Sequence, residues 1–221
     1  MYAQNSTLLI RHAQASYGAS DYDQLSSLGM EQARCLGRHL NEHQREFECI
    51  YLGELKRHHQ TLDQLINCGL SAPQQLVSAS LNEYNSDSLL LAYEEETKKR
   101  VAASEHFIAL RSALRLWMSG QIFPDKMPSY EVFRSDLLNF LTHIRSNHTG
   151  PVLVISSGGP ISTMVASLFE ANADATISLN YRIRNASITE LCHDSKRHQL
   201  VGFNHIEHLC KQADASLITY I

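Results

Sequence analysis

The chain has 221 residues, 43% of them hydrophobic and 19% charged, a composition typical of a globular protein that closes a full core. Its formal net charge is -4, from 19 basic and 23 acidic residues without any block of like charge, which argues against a nucleic-acid partner or an anionic membrane surface. We therefore expect one domain in which any functional basic residues are locally clustered.

Five cysteines are scattered along the chain without a CxxC pair, so neither a disulfide framework nor a structural zinc site is indicated. Their odd number fits a reducing compartment. The opening MYAQNSTLLIRHAQ lacks the positive region and apolar run of a signal peptide, and no stretch has the apolar length of a transmembrane helix. We expect a cytoplasmic protein with no membrane association.

The first part of the chain alternates strands and helices. STLLIRH is short and apolar, as a buried strand is, and it ends at an Arg-His pair. A helix capped by Ser26 or Ser27 runs to about Glu46 and is followed by a strand in FECIYLGEL, a helix in LKRHHQTLDQLINCG and a strand in QQLVSAS. This order predicts an α/β sheet with crossover helices, in which ligands bind at the carboxyl ends of the strands.

Residues 84–130 break the alternation. They hold the run YEEETKKR, the helix SEHFIALRSALRLWMSG and a proline-bounded loop, FPDKMPSY, which predict a helical cap inserted in a single domain, 1–221. Four apolar residues recur along the helix at helical spacing and predict a face packed in the core: Phe107, Leu110, Leu114 and Trp117. Arg111 and Arg115 flank this face. We expect both in solvent, although a lid over an anionic substrate would use them.

The last part returns to regular alternation. A helix in YEVFRSDLLNFLTHIRSN precedes the strand and turn VLVISSGGPIST, a helix from about Ile161 to Glu170, and strands near RNASITELCH and HQLVGFN. In the turn, Ser157 follows the strand, and the backbone N–H groups near Gly158 lie at a helix start, which favours an anion. Ser157 and the Arg-His pair therefore map to the same edge of the sheet.

Two arginines and a carboxylic acid complete this edge. Arg57, in GELKRHHQT, opens the helix after the second strand, and with Arg11 it predicts a phosphate clamp, because planar guanidinium groups match phosphoryl oxygens. Glu83 follows the third strand in SLNEY. Packing would explain an Arg-His pair alone at least as well. The prediction of a phosphate site therefore rests on the pair together with Arg57 and Glu83.

The order of these segments resembles that of the histidine phosphatase superfamily, the phosphoglycerate mutase-like proteins. LLIRHAQASYGASDYDQLSSLGMEQA is similar to the opening of the family, GELKRHHQT to its second segment, LNE to its acid segment, VLVISSGGPI to its late catalytic turn, and RNASITEL to the strand that follows. The resemblance covers nearly the whole chain. It implies a three-layer α/β/α sandwich with a mostly parallel central sheet and a helical cap.

The resemblance also implies a phosphohistidine mechanism that uses no metal and no cofactor. His12 would attack phosphorus, since a neutral imidazole is a competent nucleophile. Arg11 and Arg57 would hold the phosphoryl oxygens, where charge spreads in the transition state. Glu83 would protonate the leaving alcohol and later deprotonate the attacking water.

The late turn departs from the pattern of the family. It typically reads Ser-His-Gly-Gly, and the position of that second histidine is Ser157 here. The hydroxyl of Ser157 and the N–H of Gly158 would still bind phosphate, but losing a charged donor predicts a rate lower by about 10²–10³. Ala13 is a second departure, because many members have glycine there and a left-handed backbone would disfavour alanine.

Other histidines are weaker candidates. His58 and His59 adjoin the clamp arginine, and one of them could turn toward the phosphate, but exposed helix positions explain both more simply. His208 is a candidate for a role behind the site. His39 and His43 have the i, i+4 spacing that can chelate zinc, but no third ligand is identifiable, so we expect no metal.

These features predict a phosphomonoesterase whose partner is a small phosphorylated substrate or a phosphoprotein. A mutase is less favoured, because family mutases follow the acid with Arg-His-Tyr-Gly, whereas Glu83 is followed by YNSDS. The alternative from another class is a weakly active or inactive phospho-ligand-binding protein. Ser157 favours this alternative, while the retained nucleophile and acid oppose it.

Overall fold

The computed structural model describes residues 5–16, 18, 22–43, 46–71, 74–210 and 215–220. Within these residues six strands form one sheet. They are β1 (Ser6–Arg11), β2 (Cys49–Leu52), β3 (Gln75–Val77), β4 (Val152–Ser156), β5 (Ile188–His193) and β6 (His198–His205).

The strands lie in the order β3-β2-β4-β1-β5-β6. The first four run parallel, while β5 pairs antiparallel with both β1 and β6, so the sheet is mixed. The register pairs Arg11 with Ser156 at the carboxyl ends of β1 and β4. His12 and Ser157, the residues that follow, therefore leave the sheet at the same edge, as the sequence predicts.

Eight helices lie within the described residues. They are α1 (Ser27–Glu42), α2 (Lys56–Asn67), α3 (Ser86–Thr97), α4 (His106–Met118), α5 (Tyr130–Asn147), α6 (Gly158–Leu168), α7 (Ala173–Asn180) and α8 (Glu207–Cys210). None of these helices is long and apolar enough to cross a membrane.

Helices cover both faces of the sheet, because neighbouring residues of a strand point to opposite sides. Leu9 of β1 joins a core with the apolar residues of α4, α5 and α6. Leu8 and Ile10 join a second core with those of α1 and α2. The predicted three-layer α/β/α architecture is confirmed.

Several boundaries differ from the prediction. The first helix has Ser26 as its N-cap, with its hydroxyl accepting from the Gly29 N–H, but ends at Glu42 rather than at about Glu46. α6 begins three residues before Ile161 and ends at Leu168 rather than at Glu170, because the backbone turns helical directly after Ser157.

The sequence patterns missed α3, α7 and the four-residue α8. In α3 the apolar residues Leu89, Leu90 and Leu91 are consecutive rather than helically spaced, and Leu91 is 61% exposed. α7 is short, and its buried side chains are Thr176 and Ile177. Neither α3 nor α7 therefore carries a strong amphipathic signal.

The predicted core face of α4 is correct at three of its four positions. Leu110, Leu114 and Trp117 are buried, whereas Phe107 is 45% exposed, and the prediction for Phe107 is wrong. Phe107 lies in the first turn of α4, where the helix overhangs a cavity at the carboxyl edge of the sheet. Helical spacing identifies the apolar face of α4, but it does not show how much of that face is covered by other parts of the protein.

Candidate active site

His12 is held at the carboxyl edge by the backbone on both of its sides. Its N–H donates to the Ser156 carbonyl of β4 at 2.9 Å. Its carbonyl accepts from the Ala186 N–H and from Asn185 Nδ2, each at 3.3 Å. The loop before β5 thus fixes the position of this histidine together with β1 and β4.

The hydrogen bonds of the His12 ring define its tautomer. Nδ1 lies 2.7 Å from the Ala13 carbonyl, which can only accept, so Nδ1 carries the proton. Nε2 accepts from Arg57 Nε at 3.1 Å and so holds a lone pair. Burial, followed by the charge of Arg57, lowers the pKa of His12 well below 6.5. The ring is therefore a neutral imidazole with its Nε2 lone pair toward the arginine.

Arg57 is fixed by an acid that the sequence patterns did not identify. The arginine is 7% exposed in the first turn of α2, and its guanidinium donates to Asp23 at 2.6 Å. Asp23 also accepts from the Lys56 backbone N–H at 2.8 Å, at the start of the same helix. Asp23 lies within the opening segment that resembles the family, but no pattern in that segment marks it, so only its tertiary contact reveals the role.

Arg11 places one buried donor on the site. Its guanidinium donates to the carbonyl oxygens of Ile183 and Tyr220, at 2.8 Å for the latter. Its Nε is buried without a hydrogen-bond partner in the protein. This Nε lies 3.8 Å from where a Cβ on Gly158 would stand, so it faces the glycine turn. An unpaired buried N–H at this point is suited to an anion.

Glu83 contacts the same turn from the opposite side. Its carboxylate accepts from the Gly159 N–H at 3.1 Å. A Cβ on Gly159 would stand 2.1 Å from Glu83 Oε1, so the carboxylate approaches only because this residue is glycine. Burial raises the pKa of Glu83, against the opposing effects of the Gly159 bond and of Arg57 and Arg11. The group thus keeps its proton closer to neutral pH, as a proton donor requires.

Ser157 occupies the N-cap position of α6, but its hydroxyl does not cap the helix. Instead Ser157 Oγ lies 2.8 Å from His58 Nε2, and both residues are 0% exposed. The centres of the His58 and His12 rings are 5.6 Å apart. The expectation that His58 is an exposed helix residue is therefore wrong, whereas His59 is exposed as expected.

The face of α2 that packs on the sheet explains this burial. Arg57, His58, Thr61 and Leu62 form the buried side of the helix, so the polar residues of the first turn enter the site. Gly53, at the exit of β2, makes room for the ring, since a Cβ there would stand 2.4 Å from His58 Nδ1.

The left-handed backbone that would be unfavourable for alanine occurs at Ala186 and not at Ala13. Ala13 is not among the described residues with positive φ, whereas the buried Ala186 has φ 54. The carbonyl of Ala186 is 2.9 Å from His208 Nε2. Because the Ala186 N–H donates to the His12 carbonyl, His208 is linked to His12 through two successive hydrogen bonds. His208 therefore lies behind the loop that holds His12, the position for which the sequence made it a weak candidate.

A zinc site is not formed by the described residues. The rings of His39 and His43 lie 4.3 Å apart, but no group of three or more His, Cys, Asp or Glu side chains in the described part of the chain could hold a metal ion. The five cysteines are free.

A cavity of about 390 Å³ opens at the candidate active site, beside the two arginines and Glu83. Arg11, Arg57 and Glu83 line one end of it, and aromatic side chains from the loop before α1 and from α4 and α7 line much of the rest. Arg111 and Arg115 are not among the lining residues. Arg115 instead forms an exposed ion pair with Asp174 at 2.5 Å.

Comparisons with known proteins identify the family of this chain. Residues 7–206 match the histidine phosphatase superfamily (branch 1). The chain belongs to this superfamily. Membership supports a phosphatase-like function, and it confirms at the level of the family the resemblance found in the sequence segments.

One relative is the protein named "Putative phosphoserine phosphatase 2" of Hydrogenobacter thermophilus, 26% identical over 219 residues that cover 90% of this chain and 95% of that protein. Among solved structures, a mutant phosphoserine phosphatase of Entamoeba histolytica in complex with phosphoserine is 18% identical, with a TM-score of 0.66 over 92% of this chain and 98% of that one. The phosphoglycerate mutase of Bacillus anthracis is 16% identical, with a TM-score of 0.63 over 95% and 96%. At these identities the solved structures establish the shared fold.

Proposed function

We propose that the protein is a cytoplasmic phosphomonoesterase that hydrolyses small phosphorylated substrates through a phosphohistidine intermediate on His12. The observation that carries this proposal is the neutral His12 ring, whose Nε2 lone pair meets Arg57 Nε at 3.1 Å beside a buried donor of Arg11. A nucleophile and two guanidinium groups that converge in this way are suited to phosphoryl transfer, which depends mainly on positioning and electrostatic stabilisation.

In the first step, His12 Nε2 attacks phosphorus as the bond from phosphorus to the leaving oxygen breaks. Arg57 Nε exchanges its bond with His12 for a phosphoryl oxygen, and Arg11 Nε donates to another. Glu83, whose pKa is raised by burial, gives its proton to the leaving oxygen. The products of this step are a free alcohol, phosphohistidine and the Glu83 carboxylate.

In the second step, the Glu83 carboxylate takes a proton from a water molecule whose oxygen attacks phosphorus. The bond between phosphorus and Nε2 breaks, and its electron pair returns to the ring of His12. Nδ1 keeps its proton throughout because it donates to the Ala13 carbonyl. Glu83 ends the cycle protonated and ready for the next substrate.

Ser157 in this proposal stands where the family typically has a second histidine, and it binds the phosphoryl group together with the N–H of Gly158. A hydroxyl donor in place of a charged imidazole reduces the rate without abolishing it. Residues 84–130 form the cap that covers the leaving group. Phosphoglycerate mutase activity is not favoured, because YNSDS follows Glu83.

The test is hydrolysis of a panel of phosphomonoesters in the presence of EDTA, by the parent and by His12→Ala. We expect slow turnover by the parent, none by His12→Ala, and a phosphorylated His12 peptide in rapidly quenched samples analysed by mass spectrometry. The control is His59→Ala, because His59 lies on the exposed side of α2, the helix that carries Arg57.

Turnover that survives removal of His12 would overturn the mechanism. Tight binding of inorganic phosphate without turnover across the panel would instead support the alternative class, a phospho-ligand-binding protein.

A further inference from the structure

The contact between His58 and Ser157 is a buried polar pair, and the proposed function assigns a role only to its serine. Both side chains are 0% exposed, and His58 Nε2 lies 2.8 Å from Ser157 Oγ. The serine directly precedes Gly158, the first residue of α6, and Arg11 Nε faces Gly158, so the serine belongs to the turn toward which the Arg11 donor is directed.

We propose that His58 is a positioning residue that acts through Ser157: the imidazole Nε2–H donates to Ser157 Oγ, and the serine hydroxyl donates to a phosphoryl oxygen. The proposal rests on the proposed function and adds a residue that resemblance does not assign. A single hydroxyl can accept one hydrogen bond and donate another, so the pair works as one donor directed at the transferred group.

The surroundings of His58 favour this direction of the hydrogen bond. Nδ1 lies against the backbone of Gly53 and makes no hydrogen bond of good geometry. The Gly53 backbone, whose contact raises the pKa of the ring, offers a proton on Nδ1 only a poorly aligned acceptor, whereas Ser157 Oγ lies 2.8 Å from Nε2, so we place the proton on Nε2. Because Ser157 Oγ then accepts from the ring, its own proton is free to point into the site.

The pair remains a neutral donor at physiological pH. Burial, followed by the positive charge of Arg57, lowers the pKa of His58 to about 3. The donor therefore needs no proton from solvent, and its strength comes from the chain of two hydrogen bonds, each of which polarises the other.

A double-mutant cycle with His58→Leu and Ser157→Ala tests the pair. We expect Ser157→Ala to lower kcat by about 10²-fold with KM little changed, since the donor acts in the transition state. His58→Leu should lower kcat by about tenfold or more, and the double variant should be no slower than Ser157→Ala alone. Losses that multiply in the double variant would overturn the coupling.

His58→Gln separates a donor from a packing residue. The Gln amide carries an N–H at about the reach of the imidazole Nε2, whereas the shorter Asn amide does not reach Ser157. We expect His58→Gln to keep kcat within about tenfold of the parent, and His58→Asn to behave like His58→Leu. Equal rates for Gln and Asn, or a fully active Leu variant, would contradict the proposal. The Gln and Asn comparison also decides the matter if His58→Leu does not fold.

Binding of inorganic vanadate, measured by calorimetry on the same variants, keeps this proposal separate from the proposed function. Vanadate mimics the five-coordinate phosphorus of the transition state, so the parent should bind it more tightly than His58→Leu even if no ester is hydrolysed. If no ester is hydrolysed but the parent still binds vanadate more tightly than His58→Leu, only the phosphatase assignment is contradicted. If His58→Leu and Ser157→Ala both bind vanadate as tightly as the parent, the His58 proposal is contradicted.

A second inference rests on a different observation, the wall of the cavity beyond the arginines. The aromatic side chains of this wall are Tyr22, Tyr84, Phe107, Tyr181 and Tyr220. Among the described lining residues the cations are Arg11 and Arg57, which the phosphoryl group occupies. A carboxylate on the leaving group would therefore meet aromatic rings, the neutral Ser86 and Asn180, and the acidic Glu83.

We infer that the favoured leaving group is a flat, uncharged ring rather than a small carboxylated alcohol. This deepens the proposed function by naming a substrate class. The aromatic wall offers contact area and edge-to-face or stacked packing to a ring, whereas beyond the two arginines a second negative charge would find only neutral hydroxyl and amide donors in the described lining. The preferred class would then differ from the phosphoserine bound in the Entamoeba histolytica structure.

Benzyl phosphate and O-phosphoserine provide the test, because both release a primary alkyl alcohol. We expect kcat/KM to be at least about tenfold higher for benzyl phosphate, and Phe107→Ala to reduce this ratio. A preference for phosphoserine would overturn the inference. If neither ester is hydrolysed, the affinities of benzylphosphonate and 3-phosphonopropionate decide, with tighter binding of the carboxylated compound as the contradicting result.

Discussion

The two ends of the cavity differ in burial and in the bonds that hold them. At the end lined by Arg11 and Arg57, the proposed phosphoryl end, Arg57 is 7% exposed, and the adjoining His12, His58 and Ser157 are 5%, 0% and 0% exposed. At the other end, the proposed leaving-group end, Phe107 and Tyr220 are 45% and 44% exposed. Apart from Arg11 Nε and His58 Nδ1, the side-chain polar atoms described above at the first end are paired within the protein, while the second end offers apolar surface to solvent. In the proposed function the buried end therefore carries the chemistry, and the exposed end is free to select among substrates.

Substitutions at the two ends of the cavity should differ in their energetic cost. Buried polar groups are costly to leave unpaired, so substitutions at the phosphoryl end disturb several partners at once. Exposed side chains at the leaving-group end have few such partners. We expect the effect of substitution to fall in size from the first end to the second.

Glu83→Gln should produce the largest effect, a loss of about 10²–10⁴ in kcat, because the proton donor and later base is removed. Since burial raises the pKa of Glu83, the parent should lose activity as pH rises through that pKa, when the proton is lost. The variant should lack this decline. A pH–rate profile with an alkyl ester measures both, and an unaltered profile in Glu83→Gln would exclude the assigned role.

Gly159→Ala should lower kcat by about 10²-fold without removing any catalytic group. The new Cβ would stand 2.1 Å from Glu83 Oε1 and 2.6 Å from Tyr84 Cε1, so the carboxylate must move. Displacement of about 1 Å is enough for a loss of this size. Steady-state kinetics with the melting temperature as control checks it, and full activity would mean that the contact between Glu83 and the glycine turn is dispensable.

His58→Gln should make the protein less sensitive to acid. In the parent the pKa of His58 is about 3, below the ordinary value of 6.5, so protonation favours the unfolded chain and stability falls as pH drops below 6.5. At pH 5 this amounts to about 2 kcal/mol, or about 4–8 °C in melting temperature. The variant lacks this group.

Melting temperatures of parent and variant between pH 7.5 and 5 provide the measurement. The difference between them should shift in favour of His58→Gln as pH falls. His59→Gln, at the neighbouring exposed position, should follow the parent. Parallel curves for parent and His58→Gln would contradict a neutral, buried His58.

Arg115→Ala should have the smallest effect. Its side chain and that of its ion-pair partner Asp174 are 44% and 64% exposed, and ion pairs in such positions contribute about 0–1 kcal/mol. We expect unchanged kcat/KM and a melting temperature within a few degrees of the parent, about 2–4 °C at most. A large loss of activity would instead show that this part of α4 takes part in substrate binding.

The sequence predicted the framework of the site well, because strand exits can be recognised locally. β1 ends at Arg11 and β4 at Ser156, and parallel pairing brings such ends together at one edge. The position of Arg57 at the start of α2 followed from the same pattern. In contrast, α7 was missed because few of its side chains are buried, and Phe107 was misplaced because spacing does not reveal where a core ends.

His58 and Asp23 show why the rest of the site was hidden. His58 contacts Ser157 across 99 residues of sequence, and Asp23 contacts Arg57 across 34. Neither residue lies in a position that local pattern distinguishes from an ordinary surface residue. Their roles depend on which side of α2 faces the sheet, which is a property of packing between elements.

The amino-acid sequence by itself indicated the order of the strands, the family, and the residues that we propose as nucleophile, clamp and acid, because apolar periodicity and short motifs are local. Only the tertiary structure decided which histidine ring lies against Ser157, which acid holds Arg57, and which aromatic side chains line the cavity. Those contacts join segments far apart in the chain, and burial against the sheet, rather than local pattern, selects them.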